Sequence, residues 1–212
     1  MIPERRPLVL LASLVVALSV CGPAHAGFTV SLDSVTPIAS GPYAGDYLWT
    51  YSASIAPTDT IAASVSGNHF FEVYDFKGLV AGSLVTPSGW SGTSVNFSPP
   101  PPPANIILVH GDDPSIPNLQ FKYTSGPSLV GSVLPGGLVP GVFKAVSVYP
   151  SIGSVKDFTG QLSRTSDGTI VASGGDIVTP VPEPIAMIST GLGLALLSAG
   201  YALRTRRMST RA

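Results

Sequence analysis

Tyr47-Leu48-Trp49-Thr50-Tyr51-Ser52-Ala53-Ser54-Ile55 alternates large or apolar residues with smaller or hydroxylated ones. Tyr47, Trp49, Tyr51, Ala53 and Ile55 fall on odd positions, and Leu48, Thr50, Ser52 and Ser54 on even ones. Successive side chains of a strand point to opposite faces, so the pattern predicts one face on a core and one toward water. Asn118 to Thr124 repeats it, with Leu119, Phe121 and Tyr123 set against Gln120, Lys122 and Thr124. Further strands are expected at Phe28 to Val35, His69 to Phe76, Ile106 to His110, Leu129 to Leu134, Val142 to Tyr149, Phe158 to Arg164 and Thr169 to Ala172. Between the chain's two ends no window carries a three-to-four-residue apolar period beyond two turns, so helices are not the building block. Short strands bounded by turn residues predict an all-β domain, an antiparallel β-sandwich of jelly-roll-like form.

Glycine and proline punctuate these strands. Ser166-Asp167-Gly168 carries the Asp-Gly of a type I′ hairpin and predicts direct pairing of the strands on either side. Pro99 to Pro103 is a polyproline run that cannot donate to a sheet, and it reads as a stiff surface connection between two parts of the sandwich. The segments on either side are too short for separate cores, so residues 27–172 form one domain. Ser173 to Pro180, with Gly174-Gly175, reads as a linker.

Both ends of the chain differ from this middle. Arg5 and Arg6 precede an apolar run from Leu8 to Val20, and Ala24-His25-Ala26 follows. This is the pattern of an export signal over residues 1–26, with the signal-peptidase site set by Ala24 and Ala26. A lipid-bearing Cys21 would need a small residue before it, and Val20 stands there. Removal of the signal removes Cys21, the only cysteine, so the exported chain has no thiol for a disulfide or a metal.

At the other end, Pro182-Glu183-Pro184 is followed by an uncharged run from Ile185 to Leu203 and then by Arg204, Arg206, Arg207 and Arg211. As a helix the run would be roughly 28 Å long at ~1.5 Å per residue, close to the ~30 Å hydrocarbon thickness of a bilayer. The arginines after it are expected on the cytoplasmic side, which leaves everything before Ile185 outside. Gly191, Ala195 and Ala199 recur at four-residue spacing along it, as small residues often do in such helices.

These three parts in this order resemble the PEP-CTERM sorting signal of exopolysaccharide-producing Gram-negative bacteria. The resemblance covers residues 181–207. It implies an exosortase as processing partner, with Pro182, Glu183 and Pro184 as the recognition element. It likewise implies residues 185–203 as a transmembrane helix, and Arg204, Arg206 and Arg207 as the stop within a basic tail over 204–211. Each proline fixes its own φ and biases the residue before it toward extended backbone, which holds Glu183 in a stiff segment at the membrane face.

The formal net charge of −1 conceals an uneven distribution. Residues 27–180 carry ten acids against five bases, a net −5, whereas residues 181–212 carry Glu183 against four arginines, a net +3. Nucleic acid and anionic lipid surfaces require clustered Lys and Arg, so neither is an expected partner of the exported part.

Signals for catalysis are weak, and no cofactor motif is present. His69 and His110 are 41 positions apart and lack metal-ligand spacing. Asp112 and Asp113 offer a start toward a cation site but too few oxygens for calcium, and they read as a solvated acidic turn. Glu72 and Asp75 read as exposed strand charges pointing to opposite faces. Among Trp49, Tyr51, Phe70, Phe71, Tyr74, Trp90, Phe121 and Tyr123, most should be core. Trp90 lies in the loop-like Pro87-Ser88-Gly89-Trp90-Ser91-Gly92 and is the candidate for stacking on a sugar ring.

The expected function is that of an exported cell-surface or extracellular-matrix protein. It is a substrate of a sorting enzyme rather than an enzyme, and it passes through an inner-membrane-anchored intermediate on the way to an exopolysaccharide matrix. The alternative is a secreted carbohydrate-binding or carbohydrate-active module.

Overall fold

The computed structural model describes residues 27–63, 69–101 and 106–182. The signal-peptidase residues Ala24 and Ala26, the sorting residues Glu183 and Pro184, the apolar run 185–203 and the arginines after it lie outside the described residues. Among the described residues no helix is long and apolar enough to cross a membrane.

The described residues form ten strands: β1 (Phe28–Pro37), β2 (Tyr47–Ile55), β3 (Asp59–Ile61), β4 (Phe70–Val73), β5 (Trp90–Val95), β6 (Asn118–Tyr123), β7 (Leu129–Val130), β8 (Phe143–Ser147), β9 (Ser151–Arg164) and β10 (Ile170–Val181). They form two antiparallel sheets, one in the order β1-β2-β8 and the other in the order β5-β6-β4-β9-β3-β7, with β10 also paired to β9. The strands read from period-two alternation over Tyr47–Ile55 and from Asn118 onward are β2 and β6.

The inner faces of both sheets meet in one core. Trp49, Tyr51 and Phe143 come from the smaller sheet, and Phe71, Leu119, Phe121 and Leu162 from the larger. The Phe71 and Phe143 rings meet edge to face with centroids 4.7 Å apart, and Phe28 lies 5.6 Å from Phe71. Burying each such side chain contributes roughly 1.5–3 kcal/mol. The arrangement is consistent with a β-sandwich. Buried polar tips are paired: the Trp49 indole donates to the Tyr149 carbonyl at 3.2 Å, and the Tyr51 hydroxyl to that of Val178 at 3.1 Å.

Several expectations need correction. Ser173 to Pro180 is not a linker but most of β10, paired to β9 along its length, with Ile177 and Thr179 buried. The glycines there permit close approach: a Cβ at Gly175 would lie 2.9 Å from Phe158 Cε1, and one at Gly174 2.9 Å from Ile106 Cγ2. The domain therefore runs to Val181.

Ile106 to His110 is not a strand, because the Val109 and His110 amides are bound by a side chain, that of Asp157, and make no ladder. Leu129 to Leu134 is strand only at Leu129–Val130 and then turns into a short 3-10 helix over Gly131–Val133. The expected strand from His69 to Phe76 ends at Val73. Two residues on, Asp75 has φ 53°, a positive value shared by no other non-glycine among the described residues.

The strands flanking Asp167-Gly168 do pair directly, but through the five residues 165–169 that separate β9 from β10. The Arg164 amide donates to the Thr169 carbonyl and the Gly168 amide to that of Arg164, with only Gly168 in the left-handed region. That differs from a two-residue type I′ turn, which needs positive φ at both central residues. The polyproline run lies in the connection between β5 and β6, adjacent strands of one sheet, rather than between two parts of the sandwich.

Candidate functional site

On the larger sheet, residues facing away from the core form a polar layer. Strand register places Gln120, Glu72, Thr159 and Gly174 in one row across β6, β4, β9 and β10. Asp157 lies two residues before Thr159 on β9, opposite Asp176 of β10. Just past the end of β4, Tyr74 donates its amide to the Asp157 carbonyl. Alternation alone assigns this face to solvent. Instead, Glu72, Tyr74, Thr159 and Asp157 are buried.

Carboxylates fasten the β5–β6 connection over this layer. Asp157 accepts the Val109 and His110 amides at 3.1 and 2.7 Å. Asp112 accepts the Ser98 amide at 3.0 Å and Asn118 Nδ2 at 3.1 Å. Asp75 accepts the Asp113 amide at 2.9 Å and the Lys156 ammonium at 2.6 Å, while Asn118 Oδ1 accepts the Asp75 amide at 2.8 Å. Charge-assisted bonds of this kind are roughly twice as strong as neutral ones.

Glu72 and Asp75 are thus 0% and 1% exposed, not exposed strand charges. Glu72 Oε2 accepts a hydrogen bond from Gln120 Nε2 at 3.0 Å, and Oε1 has no partner among the described residues. Burial pushes the Glu72 carboxyl up, and the nearby Asp112 charge adds to the rise, while the Gln120, Ser98 and Asn118 side chains pull the other way. The same layer pushes the Tyr74 phenol far up, first through burial and then through the charges of Glu72, Asp112 and Asp157, against the hydrogen bond with Thr159.

Asp112 and Asp113 do not converge on one point. Asp112 turns inward, while Asp113 accepts the Ser115 amide and hydroxyl at 2.9 and 2.7 Å, which hold its carboxyl below the usual carboxylate range. Among the described residues, His110, Asp157 and Asp176 bring ligand atoms within 4.8 Å of one another, a set the sequence did not signal. A ring nitrogen with two carboxylates is a donor set that suits a first-row divalent ion. Asp157 is already committed to the loop amides, and His110 Nδ1 lies 3.4 Å from Asp157 Oδ1, so the observed arrangement acts as a fastening. Asp176 also borders a groove of about 380 Å³ between β1 and β10.

Trp90 is not a surface platform. It opens β5, is 7% exposed, and packs against Phe28, Phe71, Tyr123 and Phe143. Trp49, Tyr51, Phe71, Tyr74, Phe121 and Tyr123 are buried as well. Aromatic stacking on a sugar therefore finds no support from these residues. No family model, curated protein or solved structure matches the chain.

Proposed function

We propose that the chain is an exported surface or matrix protein, with a β-domain as cargo and a C-terminal sorting signal processed by an exosortase. The observation that carries this reading is the order Pro182-Glu183-Pro184, uncharged run, arginine cluster in the sequence. Its position relative to the fold lends support: β10 ends at Val181, and Pro182 follows at once. Proline donates no ladder hydrogen bond, and Pro182 is the first residue past β10, so the recognition element starts where the sheet stops. The inner membrane is the transit station, and the exopolysaccharide matrix the destination. The jelly-roll-like description belongs to this reading too, supported by the β2–β3, β7–β8 and β8–β9 connections that pass from one sheet to the other.

Glu183→Ala tests the proposal in an exosortase-competent host. Cell fractionation with intact-mass analysis should find the variant unprocessed in the inner membrane while the wild type leaves it. Equal release of both proteins would refute the sorting role of Glu183.

A further inference from the structure

We propose that export processing creates the last interaction of the fold, an ion pair between the ammonium group released at Gly27 and the buried carboxylate of Asp59. The inference rests on reading Ala24-His25-Ala26 as the signal-peptidase site. Gly27 is buried, and its nitrogen donates to Asp59 Oδ2 at 2.6 Å. That is shorter than the ~2.9–3.0 Å usual for an amide donor, and close to the range of charge-assisted bonds.

Asp59 opens β3 and is 0% exposed. Among the described residues, its carboxylate accepts one other hydrogen bond, from the Thr58 hydroxyl at 3.2 Å, and makes no ion pair. A buried carboxylate without an opposite charge is costly to the fold, and no Lys or Arg among the described residues relieves this one. The atom bonded to it is the one that signal removal makes cationic.

The surroundings of Gly27 are built to receive this residue. A Cβ at Gly27 would lie 2.4 Å from Ser173 Cβ, so only glycine fits. The adjoining Phe28 amide donates to Ser173 Oγ at 2.8 Å. β3 and β10, distant in sequence, thus hold the residue predicted to become the first of the exported chain.

The chemistry is hydrolysis. Water breaks the Ala26–Gly27 carbon–nitrogen bond, the oxygen stays with Ala26 as a carboxylate, and Gly27 nitrogen leaves as an ammonium. With Gly27 buried against Asp59, a peptidase reaches that bond only while Gly27 is outside its socket. Cleavage precedes docking, and docking then places the new charge on Asp59.

The test uses the full chain expressed with its own signal, as wild type and Asp59→Asn, beside a pair whose cleavage is blocked by Ala24→Asp. Asparagine still accepts a hydrogen bond from an uncleaved amide but cannot neutralise an ammonium. Asp59→Asn should therefore lower the folding equilibrium constant of the cleaved form at least tenfold more than that of the uncleaved form. Within the wild type, a succinimidyl ester should label the Gly27 amine at least tenfold more slowly in the folded protein than in urea. Equal losses in both forms, or equally fast labelling folded and unfolded, would overturn the ion pair. A mature N-terminus other than Gly27, read from the intact mass of the wild type, would instead overturn the signal-peptidase reading.

Discussion

Glu72 and Gln120 face each other across β4 and β6, and their side chains share one hydrogen bond, Gln120 Nε2 to Glu72 Oε2 at 3.0 Å. The second carboxylate oxygen is buried without a partner among the described residues. Leaving a buried polar group unsatisfied costs about 1–3 kcal/mol. Because burial raises the Glu72 carboxyl, the folded state holds its proton to higher pH than the unfolded chain, and stability falls as pH rises from the ordinary glutamate range through the raised value. Glu72→Gln should thus stabilise the domain by ~1–2 kcal/mol at pH 7, with the gain vanishing at pH ~4, where both states are protonated. Urea unfolding at the two pH values measures it. A loss of stability at pH 7 would mean that the carboxylate is favourably partnered.

His69 has the opposite sign. Its Nδ1 accepts the Ala62 amide at 2.6 Å and its Nε2 faces Ser163 Oγ at 2.8 Å, so the ring is held neutral with the proton on Nε2. Burial lowers its pKa, and the unfolded chain therefore takes up a proton first on acidification. Stability from this group is complete above pH ~6.5 and is lost as pH falls toward the lowered value. His69→Asn, which retains an acceptor near Ala62, should flatten the stability profile between pH 7.5 and 5 in urea unfolding. An unchanged slope would exclude His69 as its source.

Gly160 is pressed against Phe28: an added Cβ would lie 2.6 Å from Phe28 Cδ2 and 3.0 Å from its Cβ. Gly160→Ala should cost about 1–3 kcal/mol through displacement of that ring and lower the midpoint of thermal unfolding by several degrees. A midpoint equal to wild type would show that the sheets can separate there at little cost.

Across β9 and β10, Asp157 and Asp176 are directly opposed like charges. Such pairs destabilise a sheet by a few tenths to ~1 kcal/mol. Asp176→Asn should raise the stability of metal-free protein at low salt by about that much, with the difference shrinking as salt is added. A drop in stability would instead assign Asp176 a favourable partner.

The features legible in the sequence were those set locally. Alternation over Tyr47–Ile55 and Asn118–Tyr123 coincides with β2 and β6, because in a half-buried strand the pattern is the structure. Strand β3 has only three residues, too few for a period to declare itself. The burial of Glu72 and Asp157 depends on the β5–β6 connection folding over the outer face; its Val109 and His110 amides lie 48 and 47 positions from Asp157, and no local pattern carries that. Gly174-Gly175 misled for a related reason: glycine looks the same in a linker as it does where Phe158 and Ile106 need room. The pairing of Gly27 with Asp59 likewise joins residues 32 positions apart, visible only once β3 and β10 are placed.

Intact mass of the wild-type protein, recovered from the envelope and medium of an exosortase-competent host, tests processing at both ends together. A chain that starts at Gly27 and ends near Pro184 is the predicted result. A mature protein that still carries Met1 to Ala26, or the arginines from Arg204 onward, would contradict it.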